Sequence, residues 1–302
     1  MKHWCVPEPL AIAEVVADDG SRFVLRRHGN PDGPRLVLSH GNGLASDLYY
    51  PFWSLLSDRF DLVLYDFRNH GWNTRGDLRD HNIATFVSDS EQIHDGIDRM
   101  FGSKPRVGVF HSMSASTALA HDRPGDGFAA LVLFDPPVYA PNADILGVEA
   151  RWGRQAAGTR KRQSWFQTTT ELAQSIRDAP AFSGLLPGVA ELFAETTLRP
   201  AADGDGFELR CPSEYESQIC DWALAYFVDP APDDFACPVK VIGADPAVRS
   251  PFGASVDLGT LQGIEYEFVS GASHFLQLEK PRECVEMMVA FLERLGLAAT
   301  ES

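Results

Sequence analysis

Apolar residues in this chain fall into short solid runs, separated by longer stretches in which they recur every three or four positions. Arg35-Leu-Val-Leu-Ser39, Asp61-Leu-Val-Leu-Tyr65, Arg106 to Phe110 and Leu131-Val-Leu-Phe134 are runs of the first kind. Short Val/Leu runs of this sort read as strands buried on both faces. Val239 to Ile242 and Glu265 to Val269 add two late strands. Ile12 to Ala17 and Arg22 to His28 alternate loosely around Asp18-Asp-Gly20, which predicts a hairpin, and Asn30-Pro-Asp-Gly-Pro34 reads as a turn. Leu48 to Leu56, the small-residue stretch Met113 to His121, and Pro281 to Leu295 read as helices. Ile83 to Met100 does too, with apolar residues at 83, 86, 87, 93, 97 and 100. Strands alternating with helices predict an α/β chain with a mostly parallel central sheet flanked by helices.

The alternation stops between about Tyr139 and Asp234. That stretch shows no strand of the same kind, reads as helical and is rich in large aromatics, including Trp152, Trp165, Phe166, Phe182, Phe193, Tyr215, Trp222, Tyr226 and Phe227. It closes on Asp229-Pro-Ala-Pro-Asp-Asp234. The expected division is a core of residues 1–138, a helical cap of 139–234 and a second core part of 235–302, with a frayed tail from Ala298. Most cap aromatics should form the cap's own core, and two or three should line an apolar pocket.

A chain of 302 residues with 44% hydrophobic content supports one large domain with an insert. Its net charge of −16 argues against nucleic acid and anionic membranes as partners. No apolar run approaches the ~18 residues of a membrane span, and the N-terminus shows no secretory h-region. The five cysteines are scattered without metal-ligand spacing, which points to free thiols in a reducing cytoplasm. The expected partners are a small-molecule substrate and, as an open option, a second copy in a homodimer. Neither a cofactor nor a metal is expected.

The chemistry gathers where strands end. Ser112 stands between the run ending at Phe110 and the helix beginning at Met113, with no glycine or proline spacer. So sharp a turn lifts its hydroxyl off the sheet edge. It also sets the next backbone N–H at a helix N-terminus, where donors are unpaired and the dipole favours negative charge. His40, Asp66 and Asp135 also follow strands, and ligands bind beyond the carboxyl ends of parallel sheets.

His40-Gly-Asn-Gly43, Asp66-x-Arg-x-His-Gly71, His111-Ser-Met113, Gly243-Ala-Asp245 and Gly271-Ala-Ser-His274, in that order and each after a run, resemble the α/β-hydrolase superfamily. The Arg68-Asn-His-Gly71 variant is similar to some of its small esterases. The resemblance implies an α/β-hydrolase fold with Ser112 as nucleophile, His274 as general base and Asp245 as the acid that orients it. It also implies an oxyanion hole from the backbone N–H groups of Asn42 and Met113. The physical requirement is the same: a serine hydroxyl is a poor nucleophile at neutral pH unless a carboxylate-oriented imidazole takes its proton.

Two places depart from the usual pattern. Phe110 stands two before the serine, where a small residue is expected, and shifting the register would make Ser114 the nucleophile. Asp245 follows Gly243 more closely than usual, and Asp135 is the alternative acid. His40 and His111 read as structural pins for the oxyanion loop and the elbow. Asp66 and Arg68 read as holding their loop. Arg151, Arg154, Arg160, Lys161 and Arg162 form a basic cluster that reads either as a solvated face or as an anion-attracting rim over the pocket. The expected activity is hydrolysis of an ester, thioester, lactone or activated C–C bond of a medium-sized hydrophobic or aromatic substrate. The alternatives are a ligand-binding, receptor-like member or a cofactor-independent lyase or dioxygenase on the same fold.

Overall fold

The computed structural model describes residues 3–137, 144–202, 204–223, 234–248 and 263–298. Six strands precede the insert: β1 Ala11–Val16, β2 Arg22–Gly29, β3 Arg35–Ser39, β4 Asp61–Tyr65, β5 Arg106–His111 and β6 Ala130–Phe134. Helices α1 Tyr50–Trp53, α2 Ile83–Phe101 and α3 Met113–Leu119 lie among them. The insert holds α4 Ile145–Arg160, β7 Trp165–Phe166, α5 Thr169–Asp178, α6 Val189–Thr197, β8 Leu198–Pro200, β9 Phe207–Leu209 and α7 Ser213–Trp222. The chain closes with β10 Val239–Ala244, β11 Ile264–Val269, α8 Leu276–Glu279 and α9 Pro281–Arg294.

The main sheet runs β1-β2-β4-β3-β5-β6-β10-β11. It is parallel from β4 to β11, and the β1–β2 hairpin is added antiparallel at one edge. Period-two alternation sends Leu36, Leu38, Leu62 and Leu64 into one apolar layer, and Val37, Val63 and Tyr65 into the other. That two-sided burial is why the polar residues of these strands, Arg35, Ser39 and Asp61, stand only at their ends. The strand order reverses at β3, which has β4 on one side and β5 on the other. The crevice beyond the ends of β3 and β5 is therefore the natural ligand site.

Two expectations change. The helix expected over 48–56 is three short pieces, a 3-10 turn at Ser46–Tyr49, α1 and a second 3-10 turn at Ser54–Leu56. Pro51, in the first turn of α1, has no N–H to continue the preceding turn. The insert also contains a small antiparallel sheet, β7-β9-β8, whose two- and three-residue strands are too short to leave a period-two signal. The boundary near 138/139, Tyr226, Phe227, the turn at 229–233 and the tail from 299 lie outside the described residues.

Candidate active site

Strand registers bring the candidate groups together. His111 of β5 pairs with Phe134 of β6, so Ser112 and Asp135 each lie one residue past a matched pair. The Ser112 N–H donates to the Phe134 carbonyl at 2.9 Å. Ser112 adopts φ 52° and ψ −110°. This sparsely populated backbone persists only where the surroundings impose it, and it turns the side chain out of the sheet. His274, in the loop between β11 and α8, places Nε2 3.0 Å from Ser112 Oγ and Nδ1 2.7 Å from Asp135 Oδ2. Nδ1 faces a carboxylate and must carry the proton, which leaves Nε2 to accept from the serine.

The carboxylate on His274 is therefore Asp135, and the expectation for Asp245 is corrected. Ile242 of β10 pairs with Phe134, so β10 runs two residues beyond the end of β6 and carries Asp245 past the imidazole. There Asp245 accepts the N–H groups of Gly271 at 2.6 Å and Ala247 at 2.8 Å, and these bonds hold its carboxyl below the ordinary value. It braces the loop that carries His274. Asp135 is fully buried, at φ 41°, and its second oxygen accepts from the Ala244 N–H at 3.0 Å.

Ser114 is also settled by geometry. Its hydroxyl bonds back to the His111 carbonyl (3.0 Å) and accepts the His111 N–H (2.9 Å), inside the buried elbow and away from the imidazole. Phe110 fits because the strand is small two residues earlier. A Cβ on Gly108 would lie 2.5 Å from the Phe110 ring and 2.7 Å from Leu131 Cδ2. Residues two apart share a strand face, so the Phe110 ring lies over the space Gly108 leaves, edge-on to Phe128.

The loop after β3 passes close beside the serine: a Cβ on Gly41 would stand 3.3 Å from Ser112 Cβ. Met113 opens α3, where N–H groups have no intrahelical acceptor, and Asn42 follows Gly41. Both expected oxyanion donors thus belong to backbone flanking Ser112. The Asn42 side chain is committed elsewhere, donating to the Glu216 carbonyl at 2.8 Å.

Several buried histidines pin these loops. His40 Nδ1 donates to the Gly41 carbonyl at 2.8 Å, and its Nε2 accepts the Phe67 N–H. His70 Nε2 accepts the Gly43 N–H at 3.1 Å. Below them, Asp66 accepts the N–H groups of Ser46 and Trp72 and pairs with Arg26, and Arg68 pairs with Asp89. Burial alone would raise the Asp66 carboxyl, but the Arg26 guanidinium outweighs it and holds the group low.

A further hydrogen-bond chain links three loops, and sequence reasoning missed its centre, Tyr49. The Gly41 N–H donates to Tyr49 Oη (3.1 Å), Tyr49 donates to His111 Nδ1 (2.6 Å), and His111 Nε2 donates to the His274 carbonyl (2.9 Å). Burial keeps His111 neutral and the Tyr49 phenol protonated, so the direction of donation is fixed. Tyr49 lies in a stretch that reads only as amphipathic helix, so no local signal marks it. Tyr49→Phe leaves the Gly41 N–H and His111 Nδ1 unpartnered. We expect it to destabilise the protein by about 1–3 kcal/mol in urea unfolding, the usual cost of an orphaned buried group.

Among the described residues, His70, His81 and Cys211 place one ligand atom each within 4.8 Å of one another. They do not fit a resident cation. His70 Nε2 already accepts the Gly43 N–H. Asn69 Nδ2 donates to His81 Nδ1 while Asn69 Oδ1 takes the Gly76 N–H, so Nδ1 of His81 is engaged and its proton stays on Nε2. Burial also pushes the Cys211 thiol well up. No helix among the described residues is long and apolar enough to cross a membrane.

Ser112 and His274 open into a cavity of about 360 Å³ between the sheet and the insert. Of the insert's aromatics, Trp152, Phe166, Phe182 and Phe193 line it, whereas Trp165 and Trp222 are substantially exposed elsewhere. Of the basic cluster, Arg162 lines it.

A sequence profile of the Alpha/beta hydrolase family matches residues 36–287. Over 80 residues the chain is 34% identical to the probable oxidoreductase EphD of Mycobacterium tuberculosis (strain ATCC 25618 / H37Rv). That stretch covers 26% of this chain and only 14% of the relative. Three solved structures share the architecture at low identity. The E-2-(acetamidomethylene)succinate hydrolase superposes with a TM-score of 0.71 at 19% identity, covering 94% of this chain and 99% of its own. The thioesterase domain from the curacin biosynthetic pathway gives 0.69 at 17%, covering 93% and 99%. The enol-lactonase from Burkholderia xenovorans LB400 gives 0.65 at 18%, covering 93% and 100%. By the extent of the profile match and by its sheet, this chain belongs to the alpha/beta hydrolase family.

Proposed function

We propose that the protein is a serine hydrolase that cleaves an ester, thioester or lactone of a medium-sized, largely apolar substrate through an acyl-enzyme. The observation that carries this reading is the Ser112–His274–Asp135 line, at 3.0 and 2.7 Å, opening into an apolar cavity. His274 takes the Ser112 proton as Oγ adds to the carbonyl carbon. The developing oxyanion meets the backbone N–H groups of Met113 and Asn42, each worth roughly 3 kcal/mol of transition-state stabilisation. The protonated imidazole, steadied by Asp135, then gives its proton to the leaving group. Water, deprotonated by the same nitrogen, adds to the acyl carbon, and the acid leaves as Ser112 is restored. The thioesterase domain and the enol-lactonase among the fold neighbours support carbonyl chemistry of this class. A receptor-like reading would rest on Phe110, but its ring over Gly108 leaves the serine–imidazole contact intact.

A fluorophosphonate probe tests the reading. It should label the wild-type protein rapidly and Ser112→Ala not at all, and 4-nitrophenyl esters should turn over best with medium-length acyl chains. No labelling of the wild type, or labelling that survives in Ser112→Ala, overturns it.

A further inference from the structure

We propose that Arg162 forms a carboxylate subsite at the mouth of the cavity, so that the acyl substrate carries an anionic carboxylate remote from the scissile carbonyl. This rests on the hydrolase reading and deepens it. Arg151, Arg154, Arg160, Lys161 and Arg162 are close in sequence, but Arg162 is the one of the five that lines the cavity. Arg160 instead pairs with Asp221 on the surface.

Arg162 is held in place from below. Its Nη2 pairs with Glu216 of α7, whose side chain is only 14% exposed while that of Arg162 is 45% exposed. Glu216 is itself fixed to the oxyanion loop. Its carbonyl accepts from Asn42, and its carboxyl fills the space beside Gly43, where a Cβ would come within 2.5 Å of Oε2. Gly43 is two residues from Gly41, which stands beside Ser112, so at most ~7 Å of chain separates the two loop positions. The guanidinium thus belongs to the same cavity as the nucleophile and is tied through Glu216 to the oxyanion loop.

The chemistry of the pair selects the ligand. A guanidinium has five N–H donors in a planar fork, and Glu216 engages Nη2, leaving donors on the exposed side. A carboxylate matches that fork and adds one negative charge. A phosphate dianion would set two charges beside Glu216, whose carboxyl burial already pushes up despite the opposing charge of Arg162. Phe166, Phe182 and Phe193 give the wall apolar stretches suited to the methylene chain between the two ends.

The test uses 4-nitrophenyl hemiesters of glutaric, adipic and suberic acid, each against the same ester with its free carboxyl methylated. The wild type should favour the free acid at its best chain length by about tenfold or more in kcat/KM, as expected for a hydrogen bond between charged groups. That preference should shrink as salt is raised. In Arg162→Gln the ratio should fall to about one, a tenfold loss of discrimination, while Arg160→Gln keeps it. A wild type indifferent to the carboxylate, or an Arg162→Gln variant that keeps the preference, overturns the subsite and leaves the hydrolase reading standing if the neutral esters turn over. Failure to turn over any ester, with no fluorophosphonate labelling of Ser112, overturns both.

Discussion

Ser112→Ala is expected to lower kcat for a 4-nitrophenyl ester by about 10⁶-fold, and adding His274→Ala to that variant should cost almost nothing more. The two side chains are 3.0 Å apart, and in the proposed mechanism they act on one proton, so removing either removes the same step. The residual rate should stay roughly 10³-fold or more above the uncatalysed one, because the N–H groups of Met113 and Asn42 and the apolar cavity remain. Steady-state rates of the two single variants and the double variant decide this. Additive losses would mean that serine and imidazole act independently, and the acyl-enzyme scheme would fail.

Asp135→Asn should reduce kcat by about 10⁴-fold with little change in KM, whereas Asp245→Asn should cost no more than about tenfold. The asymmetry follows from what each carboxylate holds. Asp135, buried and 2.7 Å from His274 Nδ1, fixes the tautomer that leaves Nε2 free to accept the serine proton. An amide there can donate its own N–H to Nδ1, which would put the imidazole proton on the wrong nitrogen. Asp245 holds backbone, through Gly271 and Ala247, so its loss loosens the His274 loop without changing the protonation pattern. Circular dichroism of both variants checks that the fold persists. The opposite ranking would return the acid to Asp245.

The buried strands were legible because burial on both faces forces solid Val and Leu runs, as in Leu36 to Leu38 and Leu131 to Leu133. The long helix α2 was legible from its apolar spacing, and Asn82 caps it by accepting the Thr85 N–H. Short elements left weaker traces. The pieces around Pro51 merged into one expected helix, and the strands of the insert went unseen. Both acid candidates stood at strand ends in the sequence. Choosing between them required the alignment of β6 with β10, and nothing local encodes that alignment.

Local pattern alone determined the α/β class, the order of the core elements, the serine on its sharp turn and the histidine after the last strand. Each of these depends on residues that are neighbours in the chain. Tertiary structure decided which aspartate meets His274, across 139 positions of sequence, and that Tyr49 ties the oxyanion loop to the elbow. It also decided that Gly108 makes room for Phe110, and that Arg162 alone of its cluster faces the cavity. These depend on strand register and on how the insert lies against the sheet. Both are set by packing between distant segments, which no window of sequence contains.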